Sequence, residues 1–359
     1  MSESDDVKYM RRCLGLAGSA EGRTLPNPMV GAVIVHQGRI IGEGYHLRPG
    51  EPHAEVIAVK AVRERAMLKD STLYVSLEPC SHFGKTPPCA DMIVSEGIKK
   101  IIIGTKDTSE KVSGKGITIL EKAGCEVVTG VLEEECRWMN RRFFTFHEKK
   151  RPYIILKWAQ SADGFLDKER LKNSVREPLW ITGNAERVLV HRWRAAEQAI
   201  LAGAGTIRTD NPRLNVREWT GNDPVRLVLS SSGRLDGTSA MFRELGTNIV
   251  FTHNPDATVP GAVMVKMDGN ESSAKQIAEF LFRSEIQSVL VEGGAQVLEH
   301  FISSGLWDEA RIFRGRDYYR KGPAAPLIKG KTLKRVLFSN SSLEVVFNDG
   351  SMHAEQVDN

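Results

Sequence analysis

The sequence has no long apolar run. Its longest stretches, such as Val33-Ile34-Val35 and Ile101-Ile102-Ile103, fall far short of the roughly 18 residues a membrane span needs. Cysteine is scarce and odd in number. The five (Cys13, Cys80, Cys89, Cys125 and Cys136) exclude a disulfide framework in a chain of 359 residues and leave metal binding open. A strong charge of either sign is also missing. The net charge of +4 and an aromatic content of 7% give no support to a nucleic-acid-binding face. The opening MSESDDVKYM lacks the basic start and apolar core of a signal peptide, so a cytoplasmic protein is expected. No internal repeat and no low-complexity tract is present.

What the chain does have is the length for two domains and, at 41% apolar residues, the means to bury two cores. A helix is expected over 7–20, followed by a hairpin of Met29–Val35 and Arg39–Tyr45 turning at His36-Gln37-Gly38. Helical spacing of Ala54, Ile57, Ala58, Ala61 and Val62 predicts a helix from His53 to Arg65. Strands are expected at 71–77, 99–104 and 126–129, with helices at 90–96 and 117–123 stopped by Gly97 and Gly124. A charged helix over 132–150 thins into His147-Glu148-Lys149-Lys150-Arg151-Pro152, which reads as a linker with its boundary near 148. A second alternation follows. Strands are expected at 153–158, 199–202, 225–229, 248–252, 288–292 and 343–347, and helices at 185–197, 273–283 and 295–303. Both halves therefore predict α/β sheets covered on two faces.

The chemistry gathers at element boundaries. His53-Ala54-Glu55 opens a helix, Glu78-Pro79-Cys80 ends a strand, and Cys89 begins the next helix. Imidazole and thiolate donors suit zinc, and three protein ligands leave a fourth position open, as a catalytic site requires. Glu55 lies in the first helical turn beside the metal, where a carboxylate can take a proton from an activated water and hand it to a leaving amine. This is the His-x-Glu…Pro-Cys…Cys arrangement of zinc deaminases. Eight residues separate Cys80 from Cys89 where nucleic-acid base deaminases have two, and Lys85 on that loop is placed to meet a phosphate. Cys13, Cys125 and Cys136 have no partner motif and read as packing residues.

The whole pattern resembles the RibD family of bifunctional riboflavin-biosynthesis proteins. The residues that carry it are Pro26-Asn27-Pro28-Met29-Val30-Gly31, Gly44-Tyr45-His46, Pro52-His53-Ala54-Glu55, Leu77 to His82, Gly84 to Cys89 and Val112-Ser113-Gly114-Lys115-Gly116. In the second half they are Arg151-Pro152-Tyr153, Lys157, Ala159 with Ser161-Ala162-Asp163-Gly164, Trp180-Ile181-Thr182-Gly183, Thr206, Asp210-Asn211-Pro212, Leu214 to Arg217 and Glu292-Gly293-Gly294.

The resemblance implies a cytidine-deaminase-like three-layer αβα domain over 1–148, followed by a dihydrofolate-reductase-like α/β domain over 149–359. It implies zinc-dependent removal of an amino group from 2,5-diamino-6-ribosylamino-4(3H)-pyrimidinone 5′-phosphate, then NADPH-dependent reduction of the ribosyl group. The partner is thus a small phosphorylated pyrimidine, with no nucleic acid and no membrane, and a homo-oligomer follows by resemblance alone. His53, Cys80 and Cys89 would hold Zn2+, with Glu55 as the proton shuttle. Asn27, His46 and Lys85 would meet the substrate in the first domain, and Arg194, Arg217 and Glu292 in the second. Ala159, Trp180, Thr206, Asp210, Ser231 and Gly294 through His300 would contact NADPH.

Read from the residues alone, the reductase half carries a diffuse signal. Glu292-Gly293-Gly294 ends a strand and opens a helix, offering amides to a cofactor phosphate. Gly203-Ala204-Gly205 lacks the third glycine of a Rossmann fingerprint. Pro178 stands where the family commonly has serine, Gln198 and Ser230 where it has aspartate, and the segment Phe313–Pro326 is longer and more basic than usual. Three alternatives to the bifunctional reading stay open: a deaminase whose C-terminal domain binds without reducing, a nucleic-acid base deaminase, and a non-enzymatic zinc protein. Glu55 argues against the last, because a structural zinc site needs no such carboxylate.

Overall fold

The computed structural model describes residues 4–81, 87–109, 112–169 and 179–349. They form two compact units, one ending at Lys150 and the next starting at Arg151.

The first unit runs α1 (Asp5–Gly18), β1 (Gly31–His36), β2 (Arg39–Tyr45), α2 (Ala54–Ala61), a 3-10 turn (Arg65–Asp70), β3 (Thr72–Leu77), α3 (Cys89–Ser95), β4 (Lys100–Thr105), α4 (Lys115–Lys122), β5 (Glu126–Thr129), α5 (Glu133–Met139) and α6 (Arg141–Lys149). The sheet order is β2-β1-β3-β4-β5. β1 is antiparallel to both neighbours, and β3, β4 and β5 are parallel. The β1–β2 turn places Gln37 and Gly38 at φ 46° and 74°, the pair of left-handed residues that matches the twist of a two-residue hairpin. Side chains alternate between faces along each strand. Val33, Tyr74 and Ile102 pack with Met10, Cys13 and Cys136 on one face. Ile34, Val75 and Ile103 pack with Ala58, Ile93, Leu120 and Cys125 on the other. The result is three αβα layers, with Cys13, Cys125 and Cys136 as buried packing residues.

Two expected helices are shorter than their sequence patterns suggest. The helix after His53 stops at Ala61, and Arg65 donates to the Val59 carbonyl at 2.6 Å, satisfying an end group the helix would otherwise leave bare. The expected helix over 132–150 breaks at Asn140. The Asn140 carboxamide accepts from Met29 N at 2.8 Å and donates to Met29 O at 2.9 Å, so this residue is held by the segment that carries Asn27.

The second unit runs β6 (Tyr153–Gln160), α7 (Asn184–Ala196), β7 (Ala199–Gly203), α8 (Ala204–Asp210), β8 (Val225–Leu229), α9 (Ala240–Arg243), β9 (Asn248–Thr252), β10 (Val263–Lys266), α10 (Ser273–Arg283), β11 (Ser288–Glu292), α11 (Ala295–Ser303), β12 (Glu309–Gly315), β13 (Lys331–Leu337) and β14 (Ser341–Phe347). Its sheet is ordered β10-β9-β8-β7-β11-β6-β12-β14-β13. The first seven strands in that order are parallel, and β14 and β13 complete the sheet antiparallel. Phe251, Ile277, Leu281, Val291 and Phe301 center the core under α10 and α11. Ile200, Ile207, Val228 and Met241 fill the opposite face.

The strands β12 and β13 escape a hydrophobic pattern for different reasons. In β12 the charges of Glu309 and Arg311 are buried: Arg311 Nε donates to Glu309 Oε1 at 2.6 Å, and the guanidinium lies 4.5 Å from the Trp193 ring. In β13 they are exposed, as befits an edge strand that must resist pairing with other chains.

The basic segment after β12 folds onto the loop after β6. Asp163 accepts from Ser161 Oγ at 2.6 Å, Tyr319 N at 3.0 Å and Arg320 N at 2.7 Å, and Pro323 O accepts from Leu166 N at 2.8 Å. Those bonds, the Ser161 hydroxyl first, hold the Asp163 carboxyl down at about 2. Among the described residues, no helix is long and apolar enough to cross a membrane.

Candidate functional site

The first site forms where β3 and two helix starts converge. His53 precedes α2, Cys80 follows β3, and Cys89 opens α3. His53 Nδ1 lies 3.5 Å from Cys80 Sγ and 3.3 Å from Cys89 Sγ, and the three donor atoms all fall within 4.8 Å of one another. Tetrahedral zinc with one nitrogen and two sulfur ligands spaces N and S by about 3.6 Å, so the donor set fits zinc in chemistry and in reach. Cys89 N also donates to Cys80 Sγ at 3.3 Å. The hydrogen bond between the two thiols draws Cys80 down, while that same bond and burial hold Cys89 up.

Glu55 is 3% exposed, in the first turn of α2. Burial raises its carboxyl above the usual range, and His53 pulls it partly back. His46 Nδ1 faces the Pro52 carbonyl at 3.2 Å, so that nitrogen carries the proton and Nε2 accepts from Asn27 Nδ2 at 3.0 Å. The His46 ring stands edge-on to His53, with centroids 5.4 Å apart. Asn27, His46, His53, Glu55, Cys80 and Cys89 are thus brought into one place. Lys85 lies outside the described residues.

Close backbone packing sets this geometry. A methyl group on Gly44 would overlap the Ala54 carbonyl, and one on Gly42 the Ala58 carbonyl, so β2 lies hard against α2. Gly44→Ala is expected to push back the helix start that carries His53. A destabilisation of about 1–3 kcal/mol is expected, read from denaturant unfolding of the holoprotein.

The second site lies at the carboxyl ends of β7, β11 and β6. Glu292 ends β11, and its two oxygens accept from Arg194 Nε at 2.7 Å and Nη2 at 2.8 Å, with Lys157 Nζ at 3.7 Å. Burial raises the Glu292 carboxyl, but Arg194 and Lys157 outweigh it and set it at about 2. Burial lowers the Lys157 ammonium, with Glu292 opposing. Asn215 joins the two predicted arginines. Its carbonyl accepts from Arg194 Nη1 at 3.1 Å and its side-chain oxygen from Arg217 Nη1 at 2.8 Å. His191 Nδ1 accepts from Arg217 N at 3.1 Å, and burial, Arg194 and Arg217 hold this imidazole down at about 4. Arg194, Arg217 and Lys157 gather around Glu292, with Glu218 near both arginines, and the guanidiniums suit an anionic ligand.

Gly293 and Gly294 adopt φ 85° and 79°, and a methyl group on either would sit 3.6 Å from Thr206 Oγ1. α11 starts at this turn without a side-chain cap, so its first amides face outward. Such a turn fits a dinucleotide phosphate. Ala159 is half-buried near the end of β6; Asp210 and Ser231 are exposed after β7 and β8. Trp180 is 62% exposed, with the Arg187 guanidinium 5.3 Å from its ring. Ser230 Oγ is buried, and Gln198 Oε1 accepts from Gln287 N at 2.6 Å. Pro178 lies outside the described residues. The sequence reading gave no role to Lys157, His191 or Asn215. Lys157 and, within Leu214 to Arg217, Asn215 entered only as residues that carry the family resemblance, and His191 had no signal.

A His–Cys–Cys donor set beside a buried glutamate on an αβα fold defines a zinc-dependent deaminase, here joined to a nucleotide-binding α/β unit. The profile of the cytidine and deoxycytidylate deaminase zinc-binding region matches residues 3–105, and that of the RibD C-terminal domain matches 152–347. The chain belongs to the RibD family. The riboflavin biosynthesis protein RibD of Aquifex aeolicus is 40% identical over 315 residues, which cover 86% of this chain and 86% of the relative. That of Bacillus amyloliquefaciens is 36% identical over 345 residues, covering 94% of this chain and 88% of the relative. The crystal structure of a diaminohydroxyphosphoribosylaminopyrimidine deaminase/5-amino-6-(5-phosphoribosylamino)uracil reductase from Thermotoga maritima matches with a TM-score of 0.86 at 37% identity, over 96% of this chain and 99% of that one.

Proposed function

We propose that this chain carries out two consecutive steps of riboflavin biosynthesis. A deaminase domain over 1–148 hydrolyses an amino group from 2,5-diamino-6-ribosylamino-4(3H)-pyrimidinone 5′-phosphate. A reductase domain over 149–359 then uses NADPH to reduce the ribosyl group of 5-amino-6-(5-phosphoribosylamino)uracil to ribityl. The observation that carries this reading is the placement of His53 Nδ1 at 3.5 and 3.3 Å from two thiols, in a chain that also holds the Arg194–Glu292–Lys157 cluster.

His53, Cys80 and Cys89 would hold zinc, which would supply Lewis-acid polarisation of water. Glu55 takes a proton from the attacking water and passes it to the departing ammonia, and its burial favours a carboxyl able to do both. Asn27 and His46 wall the pocket as a hydrogen-bonded pair, and Lys85 is assigned to the phosphate from the sequence. In the reductase, Arg194, Arg217 and Glu292 orient the substrate. Gly294 and Thr206 hold the nucleotide with Ala159, Trp180, Asp210 and Ser231 around them. NADPH bound there would supply the hydride. Lys157 Nζ, 3.7 Å from Glu292 in the same cluster, holds the proton the reduced sugar needs. The protein acts in the cytoplasm on a small phosphorylated pyrimidine, with no call for nucleic acid or membrane.

Zinc removal tests the separation of the two chemistries. A chelator is expected to abolish ammonia release and to leave NADPH oxidation on 5-amino-6-(5-phosphoribosylamino)uracil unchanged. Ammonia release that survives complete loss of zinc contradicts the reading.

A further inference from the structure

We infer that Glu78 is a positioning residue of the deaminase, which fixes zinc ligand Cys80 by clamping the end of β3 to the start of α4; this rests on the zinc reading of His53, Cys80 and Cys89. Glu78 is 4% exposed and two residues from the ligand. Its backbone N–H donates to Thr105 O at 3.0 Å, tying it to the end of β4. Its carboxylate accepts four backbone N–H groups. Oε2 takes Asp107 N at 3.2 Å and Gly114 N at 3.0 Å; Oε1 takes Gly116 N at 3.0 Å and Ile117 N at 3.3 Å. Three of these donors lie at the first turn of α4, where amide groups lack helical partners and a carboxylate is favoured.

The clamp accounts for the sequence Val112-Ser113-Gly114-Lys115-Gly116, to which the reaction itself assigns no task. Gly114 takes φ 79°, a left-handed conformation that turns the chain into α4. At Gly116 a methyl group would overlap the Pro79 carbonyl, so the helix start is seated directly against the peptide that leads to Cys80. Cys80 is then joined to the next ligand by two further bonds, Ala90 N to Cys80 O at 3.2 Å and Cys89 N to Cys80 Sγ at 3.3 Å. Cys80 is thus held from both sides, by the Glu78 clamp before it and by α3 after it. Groups outside the ligand set that fix a ligand in this way govern metal affinity.

The test is zinc release from the full-length holoprotein to excess chelator, for wild type, Glu78→Gln and Gly116→Ala. Glu78→Gln keeps the volume but replaces one acceptor oxygen with an amide that must face N–H donors. Both variants are expected to release zinc about 10–100-fold faster. Both are expected to shift the visible spectrum of the cobalt-substituted protein, and to lower deaminase kcat with KM unchanged. NADPH oxidation by the same chains is expected to stay at the wild-type level, which shows that the chain is folded. Wild-type zinc release and an unshifted cobalt spectrum in Glu78→Gln overturn the inference. Loss of NADPH oxidation together with zinc also overturns it, because Glu78 would then serve overall stability. Failure of the wild type to release ammonia from the pyrimidine would defeat the proposed reaction, while the zinc-release rates would still decide the role of Glu78.

Discussion

Glu55→Gln is expected to retain zinc and to lose ammonia release by about 10²–10⁴-fold, the range a positioned acid–base group supplies. Glu55 is not among the atoms that converge as metal donors, so its amide leaves the set of His53, Cys80 and Cys89 intact. What the variant loses is the only function a carboxylate has there: accepting a proton at one stage and releasing it at another. Glutamine fills the same buried space and can do neither. Zinc content by metal analysis and ammonia by a coupled assay give the two readings. Loss of zinc in the variant would make Glu55 a ligand, and retained turnover would remove it from the reaction.

Arg194→Met is expected to destabilise the second unit by about 3–5 kcal/mol and to abolish reduction, leaving ammonia release in place. The guanidinium and carboxylate are 11% and 9% exposed and meet through two hydrogen bonds, so the variant strands Glu292 as a buried charge next to Lys157 alone. The triple variant Arg194→Met, Glu292→Leu and Lys157→Met is expected to recover most of the stability, since a buried ion cluster can be replaced as a whole by apolar residues at little cost, but none of the reduction. Denaturant unfolding and NADPH oxidation separate the two effects. The pH dependence follows from the sign of the shift. The Glu292 carboxyl is depressed to about 2, so its stabilising contribution is present above the ordinary value of 4.5 and is lost as pH falls from 4.5 toward 2. Arg194→Met is expected to flatten that acid limb.

Much of this was readable from residues because the chemistry sits where elements begin and end. His53, Cys80 and Cys89 each stand at a boundary set by local pattern, so placing the boundaries placed the ligands. The strands 126–129, 225–229, 248–252 and 288–292 are apolar enough to be bounded from sequence, and the structure has them there. What stayed hidden depends on partners distant in the chain. Asn140 breaks a helix because Met29, 111 residues earlier, takes both its hydrogen bonds. Glu78 looks like part of a ligand motif until the amides of residues 107–117 close around it. No strand was expected at β12 because Glu309 and Arg311 interrupt its apolar pattern, yet they neutralise each other beneath Trp193. The extra basic segment after β12 offered no periodicity, and its fold rests on Asp163 together with backbone bonds to the loop after β6, such as Leu166 N to Pro323 O.

The measurement that bears most directly on the central claim is a single incubation of the purified holoprotein with the diaminopyrimidinone ribotide and NADPH, following ammonia and NADPH oxidation separately. The account predicts both, with ammonia appearing first and one NADPH consumed for each ammonia released. Ammonia without NADPH oxidation, on a chain whose second unit is shown to be folded, would contradict it and leave the C-terminal unit as a binding domain.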